Sequence, residues 1–255
     1  MLLQHVTWQD VETYLRRSTG IVVPTGSTEQ HGPMGAIGTD ALCAQAIAER
    51  LGAKANILIG PTIALGAAQF NLAFPGTVSI RATTLMAVIE DYVRSLARQG
   101  FTRFYFLNGH GGNLAPARAA FQDLYAQHSY AGVVAPFRCR IRSWWEYPTV
   151  DRLRKSLYGD AEGMHGTPSE VAIAQYAYPG SAHRSDDPAP PTLSAEFMRD
   201  HGGDNHWEAA THRAAFPDGR VGSDSKLANP DHGRALIEAA LGDAVLDYNA
   251  FLAES

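Results

Sequence analysis

Gly20–Asp40, GIVVPTGSTEQHGPMGAIGTD, decides how the chain is built. Its β-branched opening, GIVVP, reads as a short buried strand that breaks into a loop rich in glycine and turn-forming residues. A helix follows: Asp40 stands at or near its N-cap, Leu42, Ala46, Ile47 and Leu51 recur at helical spacing, and Gly52 suits its stop. The unit is therefore strand, long loop, helix.

Outward from it the alternation continues. A strand is predicted over 55–60, an extended piece over 78–80, and a helix over 84–99 with an apolar stripe of Leu85, Val88, Ile89, Tyr92, Val93 and Leu96. Phe104 to Leu107 reads as a buried strand running directly into NGHGGN (108–113), with Pro116 in the first turn of the next helix. Further expectations are a strand over 132–137, an irregular aromatic stretch around Trp144 and Trp145, and helices over 168–178 and 231–253. Between 181 and 230 the chain is dominated by Pro, Asp, His and Gly, which reads as surface loops with one short helix over 194–201. Strands alternating with helices imply an α/β protein, with a mostly parallel sheet covered on both faces, in a single domain spanning 1–255. Ligands in such folds collect at the carboxyl ends of the strands, where both glycine-rich loops lie.

Composition narrows the function classes. With 21 basic against 26 acidic residues and no cluster of Lys and Arg among aromatics, nucleic acid is not an expected partner. No apolar run approaches the ~20 residues of a membrane helix, so no membrane role is expected. The N-terminal MLLQHVTWQDVETYLRRS lacks the features of a signal peptide, which makes the cytoplasm the expected location. Cys43 and Cys139 read as buried free thiols rather than a disulfide framework.

Three loops carry the chemistry. Glu29 and His31 are two apart, so in extended chain both side chains project to one side, and Asp40 can return to them from the start of the next helix. Two carboxylates and an imidazole suit a borderline divalent ion such as zinc, manganese or iron, and a solvated loop is the competing reading. His110 follows a buried strand and sits between glycines that let backbone N–H groups face a ligand. A phosphate loop is disfavoured there, because the Gly-Lys-Ser/Thr ending is absent. In GMHGTPSE (163–170), Pro168 and Ser169 open a helix, placing Glu170 in its first turn and His165 in the loop before it. Taken alone, that element could be a helix cap beside a stray histidine.

GSTEQHGP with GTD, FPGT, NGHGGN and HGTPSE, in that order, resemble the creatininase family of cyclic-amide and formamide hydrolases. The resemblance runs from about Ile21 to Ala174, with an echo in FPDGRVGSDSKLA (216–228). It implies a three-layer α/β/α sandwich and a centre of two divalent metal ions, zinc foremost, with manganese, iron or magnesium as alternatives. Carried over, Glu29 and His110 would hold the first ion, His31 the second, and Asp40 would bridge them; His165 would carry a proton, and Glu170 is the acidic residue after it. Two such ions lower the pKa of a shared water from 15.7 to about 7, which gives a hydroxide able to attack an amide carbon while His165 protonates the departing nitrogen.

Departures from the family pattern are informative. Creatinine-hydrolysing members carry a glutamate ligand where this chain has Gly112, so creatinine itself is not the expected substrate, and Glu170 becomes the candidate carboxylate for the second ion. The NGHGGN form resembles branches that include a formamidopyrimidine deformylase and the mycofactocin-precursor peptidase. Asn71 and Met34 replace common histidines. Asn71, Gly111, Gly112 and Trp144 are the expected substrate contacts. The expected activity is hydrolysis of a non-peptide, cyclic amide or formamide C–N bond of a small-molecule substrate, by a homo-oligomer such as a hexamer. Two alternatives are a protein that keeps the fold without turnover, and a serine hydrolase using Ser27, whose TGST setting lacks the strand-turn-helix nucleophile pattern.

Overall fold

The computed structural model describes residues 1–181 and 183–254. Four parallel strands, β1 (Gly20–Thr25), β2 (Leu58–Ile59), β3 (Arg103–Asn108) and β4 (Arg138–Ser143), form one sheet in the order β2-β1-β3-β4. Side chains alternate across it as a strand's period of two requires. Ile21, Val23, Phe104 and Phe106 face one layer, in which Tyr14 of α1 (Trp8–Leu15), Leu85, Ile89 and Val93 of α3 (Ala82–Ala97), and Phe121 and Leu124 of α4 (Leu114–Tyr130) are buried. Val22, Tyr105 and Leu107 face the other. That layer is built from α2 (Thr39–Ala55), α5 (Pro148–Tyr158), α6 (Pro168–Ala177) and α9 (Pro230–Leu252), with Ile47, Leu51, Ile173, Leu236 and Phe251 in its core. Each such side chain removed from water contributes about 1.5–3 kcal/mol. The result is the expected α/β/α sandwich.

Register places the functional loops. Thr25 pairs with Asn108 and Asn108 with Ser143, so β1, β3 and β4 end level and release their loops side by side at one edge of the sheet.

Several expectations require correction. The strand over 132–137 is absent: α4 runs to Tyr130, Gly132 turns at φ 68°, Val133 and Val134 are exposed, and the strand is the later RCRIRS. The reason is position. β4 lies at the sheet edge, where arginines are tolerated because their heads reach water or carboxylates such as Asp247 of α9. Gly52 does not stop α2, which continues to Ala55 and ends on Asn56 in the left-handed region. Asp40 does lie near the N-cap as expected, in the first turn of α2, with Gly38 as the cap. The aromatic stretch closes into a single turn that hands over to α5, with Pro148 at its first position. The 181–230 segment contains α7 (Ala195–Asp200), near the short helix expected, and an unexpected α8 (Ala209–Ala215). It is not all surface either, since His206, His212, Arg220 and Ser223 are buried. Cys43 is buried, whereas Cys139 is only partly so. Among the described residues no helix is long and apolar enough to cross a membrane.

Candidate metal centre

The three loops read from the sequence converge. Glu29 and His31 come from the loop after β1, Asp40 from the first turn of α2, His110 from the loop after β3, His165 from the approach to α6 and Glu170 from its first turn. All six are buried. Close approach of the strand-end loops depends on Gly109, where a Cβ would stand 2.2 Å from the Asp40 carbonyl oxygen. The asparagines of NGHGGN are braces. Asn108 donates to the His110 carbonyl at 2.7 Å and accepts the His110 N–H at 3.2 Å, and Asn113 donates to Gly26 O at 2.9 Å.

Main-chain oxygens set the imidazole tautomers. His110 Nε2 lies 3.1 Å from Ala67 O, and His31 Nδ1 lies 3.0 Å from Glu29 O. A carbonyl can only accept, so in the neutral rings these nitrogens carry the hydrogen, and His110 Nδ1 and His31 Nε2 present lone pairs. Around His110 Nδ1 stand Asp40 Oδ2 at 3.1 Å and Glu29 Oε1 at 3.4 Å. Both oxygens are buried without a hydrogen-bond partner. Ligands 2.0–2.1 Å from a tetrahedral zinc are spaced about 3.3 Å apart, close to these two separations from His110 Nδ1. The other oxygen of Asp40 faces the second group, with His31 Nε2 at 2.9 Å and Glu170 Oε1 4.0 Å from that nitrogen. Two donor sets, Glu29/Asp40/His110 and His31/Asp40/Glu170, thus share one carboxylate, and Glu29, His31 and His165 form a third possible set.

Electrostatics describes a site wanting positive charge. Burial pushes Glu29 up to about 8, against the pull of His110, and pushes Glu170 up to about 7. For His31 burial favours the neutral ring, yet Asp40 and Glu170 outweigh it and raise the imidazole to about 10. His110 is raised in the same way by Glu29 and Asp40, while Asp40, although buried, is held low by His31 and His110. His165 behaves oppositely: burial and the nearby His31 hold it well below the usual histidine range. Its Nε2 donates to Gln30 O at 2.6 Å, leaving Nδ1 bare, 3.5 Å from Glu29 Oε1.

A cavity of about 240 Å³ opens above these groups, lined by Asp40, Gly111, Trp144, Trp145, Arg154, His165, Glu170 and Asp204 among others. Of the expected substrate contacts, Gly111 and Trp144 lie on this wall. Asn71 does not: it is fully buried behind His165, accepting from Gln30 Nε2 at 2.7 Å with its Nδ2 3.3 Å from His165 Nε2. Nor does Gly112 offer its N–H to a substrate, because Asp204 Oδ2 takes it at 2.9 Å. Ser27 is no free nucleophile, since its hydroxyl donates to Glu29 Oε2 at 2.9 Å. Glu170 also caps α6, accepting the Thr167 N–H at 2.5 Å.

Asp204 is the site residue the sequence reading missed. It follows two glycines in HGGDNH (201–206), between α7 and α8, and its Oδ2 lies 3.4 Å from His110 Nδ1. An acidic residue set between glycines and two histidines was the available signal.

Comparison with known proteins agrees with this architecture. The chain is 41% identical over 120 residues to the mycofactocin precursor peptide peptidase of Mycolicibacterium smegmatis, covering 45% of this chain and 48% of that protein. The chain thus spans about half the length of that relative. It is 26% identical over 184 residues to the creatinine amidohydrolase of Pseudomonas putida, covering 68% and 70% of the two chains. A crystal structure of creatinine amidohydrolase superposes with a TM-score of 0.83 at 22% identity, over 100% of this chain and 98% of that one, a likeness of fold. The creatininase family profile, described as creatinine amidohydrolase, matches residues 4–246, and the chain belongs to the creatininase family of hydrolases.

Proposed function

We propose that this protein is a metal-dependent amidohydrolase that cleaves the C–N bond of a small non-peptide, cyclic amide or formamide substrate, using two divalent ions held by Glu29/Asp40/His110 and His31/Asp40/Glu170. One observation carries the reading: a bare imidazole nitrogen and two unpartnered buried carboxylate oxygens converge on one point, and the shared Asp40 turns its other oxygen to a second imidazole. A divalent cation suits such a convergence of lone pairs. Creatininase structures in a manganese form and a zinc–zinc form bear on the choice of ion.

When bound, such a pair supplies a water acidic enough to act as nucleophile near neutral pH and a Lewis acid for the carbonyl oxygen. The protein supplies the rest. Asp40 holds the two donor sets at fixed separation. His165, neutral and with Nδ1 bare, accepts a proton in the cavity and delivers it to the departing nitrogen, a contribution of about 10²–10⁴ in rate. Gln30 O holds its ring from behind. Trp144 and Trp145 line the wall, and the cavity, at about 240 Å³, is smaller than most ligand sites and suits a small substrate.

Identity to the mycofactocin precursor peptide peptidase favours a second reading, in which the amide is a peptide bond. The test has two parts. Metal content of protein purified without chelator should approach two ions per chain and collapse in Asp40→Ala and His31→Ala; wild-type protein without stoichiometric metal refutes the proposal. A mass-spectrometric screen of cyclic amides, formamides and short peptides then separates the two readings, and hydrolysis unaffected by chelator removes both.

A further inference from the structure

The glycine pair 111–112 leaves a gap in the wall beside His110, and a carboxylate from a distant part of the chain fills it. Asp204 stands on the turn between α7 and α8 and reaches His110 of the first donor set. Its Oδ2 accepts the Gly112 N–H at 2.9 Å and lies 3.4 Å from His110 Nδ1, the same separation as Glu29 Oε1. Its side chain is 12% exposed. The approach depends on glycine, since a Cβ at position 111 would stand 2.5 Å from Asp204 Oδ2.

The backbone around Asp204 is shaped for this placement. Gly203 and Asp204 are both left-handed, at φ 70° and 54°, and aspartate is among the few side chains that tolerate this region. The turn is pinned beneath by His206 and His212, whose rings sit 4.7 and 4.9 Å from that of Phe70. Phe70 in turn stacks on His110 and meets His165 edge-on. The strap is thus packed against the two histidines it covers.

We propose that Asp204 is a strap-borne fourth ligand to the ion held by Glu29, Asp40 and His110, and that Gly111 and Gly112 are the features that admit it: one by lacking a side chain, the other by offering its N–H. The inference rests on the metal-dependent reading above. It adds that the first ion is enclosed by two separate regions of the chain.

Asp204→Asn separates ligation from docking, because the amide oxygen still accepts the Gly112 N–H while the anionic ligand is lost. Metal retention is measured by mass spectrometry after dialysis against graded chelator, with cobalt-substituted protein read by its d–d absorption and folding checked by circular dichroism. Asp204→Asn should keep the fold, release one of two ions at roughly 10- to 100-fold lower chelator concentration, and change the cobalt spectrum. Gly111→Ala, whose Cβ would push directly against the carboxylate, should do the same, and the double variant should be no worse than either single one. If the wild type holds two ions and Asp204→Asn matches it in retention and spectrum, Asp204 is only a tether and the inference fails while the functional reading stands. Wild-type protein that holds no ion overturns the functional reading and this inference with it.

Discussion

Removing the metal should make stability fall as pH rises, and the size of the effect follows from two groups. In the metal-free fold Glu29 titrates near 8 rather than 4.5, so between those values the folded chain holds a proton that the unfolded chain has lost. His31 titrates near 10 rather than 6.5 and does likewise over that range. A group with a raised folded-state pKa contributes stability at low pH and loses it as pH climbs to the folded value, at about 1.4 kcal/mol per pH unit. From pH 7 to 9, Glu29 acts over the first unit and His31 over both, while Asp40, held low, is already fully ionised and changes nothing. The sum for these two is about 4 kcal/mol, and about 2 if the two protons are strongly linked; His110, raised likewise, acts in the same direction. For a chain of this size that corresponds to a Tm decrease of roughly 5–15 °C. Loaded protein needs Glu29 ionised and His31 neutral throughout, so its Tm should stay nearly level, and the gap between the two forms should widen towards alkaline pH. The assay is differential scanning fluorimetry at pH 7, 8 and 9 with chelated and metal-replete samples. A metal-free Tm that is flat or rises across this window would refute the account of the site.

His165→Ala should retain both ions and lose turnover by about 10²–10⁴, seen in kcat with metal content measured alongside; loss of metal would make His165 a ligand. Glu170→Gln should weaken one ion only, about 10- to 100-fold by chelator competition, because it meets His31 and Asp40 but not His110. Gly109→Ala places a Cβ 2.2 Å from the Asp40 backbone oxygen, an overpacking that should cost about 1–3 kcal/mol in denaturant unfolding and spread the donor sets. A wild-type midpoint would show that this approach is not tight.

Much of this was legible in the sequence because each site loop follows a strand or opens a helix whose pattern is strong. Glu29, His31, Asp40, His110, His165 and Glu170 all lie within short, glycine-marked segments, and the fold brings those segments together at level strand ends. What escaped was set by contacts distant in sequence. The arginine-bearing β4 looks unlike a strand until Asp247 is seen beside it, and Val133 and Val134 look like one until their exposure is known. Asn71 reads as a pocket residue, yet it lies behind a histidine 94 positions later. Asp204 lies 94 positions after His110, in a segment without apolar periodicity, and its local mark is only the glycines and histidines around it.

The hydrogen bonds from His31 and His110 to main-chain oxygens have a further consequence. Because the backbone itself orients both rings, no side-chain replacement removes those two acceptors. The reactive centre and the cavity wall are then separately inherited: Trp144, Trp145 and Arg154 can be exchanged to admit another amide while the ring orientations stay as they are. A library varied only at those wall positions should hold many active members with altered preference, and the protein is a practical starting point for selecting new amidohydrolases.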